Sequence, residues 1–259
     1  MLIVSQRTSR THRICLLALS IVFLSMMIGC SWLAPPRQDL MASSQVEKWA
    51  RNNQNLKQLK GVMRIHLHSS QRNVSGRAGW SAVFPDRMRV EWLTLLGQPL
   101  IKFTANGCTI AIDVYGENEH HRIKQTPMAL KHYFQIPMGV EDLLNILSGR
   151  PPLPEYAAAQ MKSGVEQGYQ IVLMSRWHAR VAELVGADDG MLQQMSVYGD
   201  DGVLLYQIRW KSWQRQEGYM FPGDIEITTG AGESVGLLVD RLFLDTPVAP
   251  ELFTIENTP

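Results

Sequence analysis

From Gly61 to Leu244 the chain is a succession of short stretches in which apolar and polar residues alternate, separated by turn signals. That period of two belongs to strands with one face buried and the other wet. Met63, Ile65 and Leu67 alternate with Arg64, His66 and His68. Met88, Val90 and Trp92 alternate with Arg87, Arg89 and Glu91, and Ile101 and Phe103 with Lys102 and Thr104. Trp80 to Phe84 is a shorter run closed by Pro85-Asp86, and Asn106-Gly107 is a two-residue hairpin signal before Thr109 to Tyr115. His121 to Lys124 completes the first half. The second half offers Tyr169 to Trp177, Val181 to Val185, Leu192 to Tyr198, Val203 to Trp213, Asp224 to Thr229 and Val235 to Leu244. Ala187-Asp188-Asp189-Gly190 and Gly199-Asp200-Asp201-Gly202 read as turns between them.

Helical spacing is confined to two places. Ser44-Gln45-Val46-Glu47 has capping-box form and predicts a helix to about Leu59, with Val46, Trp49, Ala50, Leu56 and Leu59 near one face. Glu141 to Leu147 predicts a second, stopped by Gly149 and Pro151-Pro152; Pro127 to Phe134 is ambiguous. The expected fold is mainly β with a few helices (α+β): about eleven antiparallel strands in one large curved sheet or incomplete barrel.

The amino terminus sets the compartment. Arg7, Arg10, His12 and Arg13 precede an apolar run from Ile14 to Ile28, too short for a comfortable span of about 20 residues and right for a secretory leader. It ends in Met27-Ile28-Gly29-Cys30, which resembles a lipobox. A reachable Cys thiol takes the diacylglycerol, and a small residue before it fits the signal peptidase. Residues 1–29 are expected to be a signal peptide, 30–43 a lipidated Cys30 and its Pro-containing tether, and 44–259 the folded domain. Ser31 after the Cys, by resemblance to enterobacterial sorting rules, favours the outer membrane, with the protein on its periplasmic face. The leader takes three of the 25 Lys and Arg and none of the 24 acids, so the remainder is slightly acidic and nucleic acid is not an expected partner. With Cys30 acylated, Cys108 has no intrachain partner and is expected as a small half-buried residue.

Three further segments resemble one family. They are the helix leading through Leu59-Lys60-Gly61 into a strand, Arg87-Met88-Arg89-Val90-Glu91-Trp92 before Leu95-Leu96-Gly97-Gln98-Pro99-Leu100, and Pro250-Glu251-Leu252-Phe253-Thr254-Ile255. In this order, behind a lipobox, they resemble the LolA/LolB-like superfamily of lipoprotein carriers and receptors. Closer still are its uncharacterised lipoproteins, which share segments like Phe134-Gln135-Ile136-Pro137, Glu141-Asp142-Leu143-Leu144 and Gly149-Arg150. The resemblance implies a half-closed antiparallel barrel of about eleven strands with helices as a lid. It implies a task without bond breaking: taking acylated lipoproteins from a LolA-like periplasmic carrier and placing them in the outer membrane. It implies a membrane-insertion loop at Leu95, Leu96 and Gly97, although Leu95 stands where the receptors have Pro.

A carrier of acyl chains needs a broad apolar concavity, since each buried CH₂ is worth about 0.8 kcal/mol. Met63, Ile65, Leu67, Met88, Val90, Trp92, Ile101 and Phe103 are candidate walls; Leu192, Tyr198, Ile208 and Trp210 are added from the second half. Thirteen Met suit variable cargo, because the side chain is flexible and polarizable. The same stripes are also what an ordinary core looks like, and which face of the sheet is hollow stays open at this point.

No nucleophile elbow, P-loop, His-Glu-x-x-His or Cys-x-x-Cys occurs, so an enzyme is not expected. His66 and His68 share a strand face that His120-His121 could approach, but no Cys or carboxylate cluster accompanies them; neither metal nor cofactor is expected. Arg87 and Arg89 suit phosphate or headgroups, and equally a solvated strand face. The expected function is an outer-membrane lipoprotein that binds acyl chains and helps insert lipoproteins, a monomer with lipid as its partner. The alternative is a non-catalytic envelope scaffold that binds a protein through the same fold.

Overall fold

A computed structural model describes residues 36–255 apart from 70–72, 95, 117–118, 132–135 and 163–167. The leader, Cys30 and Leu95 lie outside the described residues. After helix α1 (Leu40–Ala50) come β1 (Gln58–His68), β2 (Asn73–Val83), β3 (Arg87–Leu93), β4 (Pro99–Asn106), β5 (Thr109–Val114) and β6 (Glu119–Lys124). Helix α2 (Val140–Leu147) follows. The second half is β7 (Ala158–Lys162), β8 (Tyr169–Met174), β9 (Arg180–Gly186), β10 (Leu192–Tyr198), β11 (Leu204–Gln216), β12 (Tyr219–Thr229) and β13 (Ser234–Leu244). A 3₁₀ turn, Pro250–Phe253, ends the fold.

All thirteen strands join one antiparallel sheet in the order β6-β5-β4-β3-β2-β1-β13-β12-β11-β10-β9-β8-β7. Two up-and-down meanders thus meet at a central seam where β1 pairs with β13, Ile65 opposite Leu237 and Leu67 opposite Val235. The sheet does not close: β6 and β7 are its two edges. The chain passes from one edge to the other between β6 and β7, and this link carries α2.

Thirteen strands form where about eleven were expected. The strand the sequence hides is β7, Ala158-Ala159-Gln160-Met161-Lys162, whose residues have little β preference and which is defined by its pairing with β8. β2 also starts earlier than its first aromatic suggests, because Gly76 and Gly79 look like loop. Gly76 is in fact covered by an indole: a Cβ there would lie 1.9 Å from Trp92 Nε1. Gly61 on β1 is covered likewise by Trp80, with a Cβ 2.5 Å from Trp80 Nε1 and 2.8 Å from the Arg241 carbonyl. Gly61→Ala is therefore expected to destabilise the fold by about 1–3 kcal/mol through overpacking, read as a lower urea midpoint with an unchanged slope.

The first helix differs from the capping-box reading at both ends. Its cap is Asp39, whose Oδ1 accepts from the N–H groups of Met41 (2.9 Å) and Ala42 (3.3 Å), so α1 starts before Ser44. It stops at Ala50 instead of near Leu59. Asn53 takes a left-handed backbone (φ 51°), and its Nδ2 donates to the carbonyls of Ser148 (2.9 Å) and Met220 (2.7 Å). The chain is turned there into β1. The second helix stands where Glu141 to Leu147 predicts it.

Candidate functional site

The pairing registers show which face is inner. Met63 lies opposite Ala78, which lies opposite Trp92, which lies opposite Ile101, which lies opposite Val114. The row one step along runs through Trp80, Val90, Phe103 and Ile112. Alternate residues on the other face are charged and paired: Lys102 Nζ lies 3.3 Å from Asp113, which also meets His120 at 2.9 Å. Arg89 forms an ion pair with Glu91 and donates to the Leu252 carbonyl at 3.1 Å, tying the carboxyl-terminal segment to β3.

Between the inner face and the link lies an apolar cavity of about 90 Å³. The structure brings together there all the wall residues named on β1, β3 and β4: Met63, Ile65, Leu67, Met88, Val90, Trp92, Ile101 and Phe103. Sequence reading missed two groups. Ile227, Val235 and Leu237 extend the wall across the seam onto β12 and β13. Leu130, Ile136, Met138, Leu143 and Leu147 form the roof, from the link and α2. Leu143 and Leu147 stand four apart, and that helical spacing was the available signal. Every lining side chain is hydrophobic. On β1, β4 and β5 the inner side chains pass from buried (Met63, Phe103, Ile112) to half-buried (Leu67, Ile101, Val114) in the same direction. That direction is the rim where β1–β2, β3–β4, β5–β6, β8–β9, β10–β11 and β12–β13 turn, the upper rim below; the remaining hairpins turn at the lower rim.

Four expected wall residues are elsewhere. Leu192, Ile208 and Trp210 are buried, but they do not line the cavity; Trp210 Nε1 donates to the Ile146 carbonyl at 3.3 Å and its ring stacks on Trp213 at 6.5 Å. Trp210 thus packs under α2, and Leu192 and Ile208 belong to the buried core of the second half. Tyr198 is on the outer face, its hydroxyl donating to Glu183 at 2.9 Å and its ring under Arg180 at 3.7 Å. Cys108 is exposed, not half-buried, in the β4–β5 turn. The two His pairs do not meet: four strands separate β1 from β6. Among the described residues no three metal-ligating side chains converge.

The roof is held unequally. At its carboxyl end, Asn52 and Asn53 donate to the carbonyls of Gly149 (3.1 Å) and Ser148 (2.9 Å), and the Arg150 guanidinium lies 4.8 Å above the Phe84 ring. The link starts at Gln125, whose N–H donates to the Cys108 carbonyl (2.8 Å) and whose Nε2 donates to the Asp86 carbonyl (2.9 Å); beyond it Leu130, Ile136 and Met138 face the cavity with apolar side chains. Asp142, in the first turn, accepts from the Gly139 N–H at 2.9 Å. Burial pushes its carboxyl above the usual carboxylate range, and that hydrogen bond only partly offsets the shift. The folded protein thus keeps a proton that the unfolded chain has released. Stability from this group is complete below the ordinary carboxylate pKa and is lost as pH rises through the raised one. Asp142→Asn is expected to flatten this slope in urea unfolding across the mildly acidic range; a slope equal to the parent's would assign it to another group.

The β3–β4 turn projects from the upper rim. Thr94 N–H donates to the Gln98 carbonyl (2.8 Å) and Gly97 N–H to the Thr94 carbonyl (2.9 Å), with Gly97 at φ +78°. This backbone needs glycine and leaves Leu96 at the tip, 89% exposed.

No family model matches this chain, and no curated protein matches its sequence. Solved structures do. A DUF1329 family protein from Desulfovibrio piger superposes with a TM-score of 0.60 at 9% identity, covering 82% of this chain and 97% of that one. A LolA superfamily protein from Nitrosomonas europaea superposes with a TM-score of 0.56 at 13% identity, covering 83% of this chain and 97% of that one. The unclosed antiparallel sheet is thus LolA-like in fold.

Proposed function

We propose that this chain is a non-catalytic lipoprotein of the cell envelope that shelters acyl chains beneath α2 and helps place lipoproteins in the outer membrane. Cys30 carries its lipid anchor, the domain works on the periplasmic face as a monomer, and a LolA-like carrier supplies its cargo. The observation that carries this reading is the cavity, lined by hydrophobic side chains and roofed by a segment whose described residues Leu130, Ile136, Met138 and Leu143 face it with apolar surface. Such contacts are interchangeable with contacts to a fatty chain.

The cavity volume makes a moving roof necessary. About 90 Å³ is well below the roughly 300–1,000 Å³ of sites that enclose small ligands. An acyl chain enters as Leu130, Ile136, Met138 and Leu143 swing off the sheet, with the Asn-pinned end of α2 as the hinge. The uncovered apolar area is covered again by the chain, at about 0.8 kcal/mol per buried CH₂. The test uses a triacylated lipopeptide bearing a fluorophore. The full chain is expected to take it up in solution and to release it into phospholipid vesicles. Failure to bind it, together with retention of an envelope protein partner, would support the scaffold alternative instead.

A further inference from the structure

Among the described residues the exposed large apolar side chains Leu40, Met41, Met128 and Phe243 lie outside the hairpin turns, and those on the hairpin turns are distributed unevenly. Leu96 (89% exposed), Trp177 (71%), Val203 (58%) and Tyr115 (48%) all stand at upper-rim turns, on the β3–β4, β8–β9, β10–β11 and β5–β6 hairpins. The lower-rim turns at Pro85-Asp86, Gly107-Cys108, Asp188-Asp189 and Glu217-Gly218 bear none. Single exposed apolar residues are ordinary on a protein surface; that those carried by the hairpin turns all fall on one rim, the one toward which the cavity's walls become exposed, is not.

We propose that the upper rim is a bilayer-docking ring, and that Trp177 on the β8–β9 turn is its second anchor, on the half of the sheet opposite Leu96. The proposal rests on the membrane-delivery reading above and names the surface that reading leaves unassigned. The Trp177 turn is built to present its side chain. Ser175 Oγ accepts from the N–H groups of Trp177 (3.2 Å) and Ala179 (3.3 Å), and His178 takes a left-handed backbone (φ 62°). The Arg176 guanidinium lies 4.9 Å from the indole ring. An indole beside a long cationic side chain suits the headgroup layer, where the ring is half-dry and the charge stays in water. The tips sit on different hairpins, strands apart at about 4.8 Å per strand, and so do not form one continuous patch. A protein partner needs a continuous buried patch of about 800 Å² per side, whereas a planar lipid interface accepts separate tips at one level.

The chain's point of arrival fits the same surface. Asp39 N–H donates to the Ala159 carbonyl (3.0 Å), and Gln160 Nε2 to the Arg37 carbonyl (3.0 Å), on β7 next to the strand that leads to Trp177. Ala159 pairs with Leu173.

The exposed thiol of Cys108, on the lower rim, is a built-in control. The full lipidated chain is reconstituted in vesicles of phosphatidylethanolamine and phosphatidylglycerol, carrying an environment-sensitive dye on Cys108. The comparison proteins are Trp177→Cys and Val203→Cys, each with Cys108→Ser. Quenching by nitroxide lipids is expected to be at least about threefold stronger at 177 and 203 than at 108, with blue-shifted emission. Equal quenching at both rims overturns the proposal. So does a dye at 177 that lipid never quenches but an added LolA-like carrier shields, which would make the rim a protein surface. Lipopeptide uptake by the same labelled proteins separates the two readings. Lost uptake in every protein, with the quenching pattern intact, strikes the delivery reading and leaves the docking ring; intact uptake with uniform quenching strikes the ring alone.

Discussion

Leu96→Glu is expected to bind acylated cargo as the parent does and to deliver it to membranes at least about tenfold more slowly. Full transfer of a Leu side chain from water to an apolar phase is worth about 1.5–3 kcal/mol, and each 1.4 kcal/mol is a factor of ten. At 89% exposure Leu96 has gained almost none of that in the folded protein, so all of it is available to the encounter with lipid. The turn itself does not depend on this side chain: its hydrogen bonds are made by Thr94, Gly97 and Gln98. Folding, followed by circular dichroism and melting temperature, should not change. Uptake of the fluorescent lipopeptide in solution should not change either, because the cavity lining does not include position 96. Delivery at the parent's rate would take the loop out of the mechanism. Loss of uptake along with delivery would mean that Leu96 serves the cavity and not the membrane.

The second large effect concerns the cavity. Val90→Trp is expected to weaken lipopeptide binding by more than about tenfold while leaving the melting temperature equal or higher. Val90 is half-buried, lines the cavity, and lies opposite Trp80 and Phe103. Space for a larger side chain therefore exists on its inner side. An indole placed there takes the room of two or three methylenes, each worth about 0.8 kcal/mol to the cargo, or roughly 2 kcal/mol together. Filling an apolar void restores contacts that the lining lacks, so stability should not fall. Binding at the parent's affinity, measured by fluorescence titration, would move the cargo to another place on the molecule.

Much of the fold was legible because period-two alternation survives wherever a sheet has one wet face. Met63 to Leu67, Met88 to Trp92 and Ile101 to Phe103 could be read as walls without knowing their neighbours. The remaining wall, Ile227, Val235 and Leu237, alternates just as well, but its membership depends on β13 pairing with β1 across more than a hundred residues of chain. Local pattern carries no record of such a register. The misplacement of Tyr198 has a specific cause. Counting by twos from Leu192 puts it on the inner face, but register shifts after Leu192 and after Val197 break the count. Met195 and Val197 are buried instead, and Tyr198 turns outward to Glu183. Leu192, Ile208 and Trp210 are buried but outside the cavity, and only coordinates show which buried stripe borders a hollow and which is filled by its neighbours. The early end of α1 was hidden for a similar reason: the partners of Asn52 and Asn53 are carbonyls far away in sequence.

The open seam between β6 and β7 bears on how such a vessel changes capacity. A closed barrel has a fixed circumference, and widening it means breaking a ladder. Here the two margins are not paired with each other, so no ladder has to break for them to part. The margins are guarded against stray strands by different means: β6 is mostly polar, with Glu119, Arg122 and Lys124 among its six residues, and β7 is bordered by the arriving segment at Arg37 and Asp39. In the proposed role the container would dilate to the size of what it holds, much as a cupped palm does, and spring back when emptied.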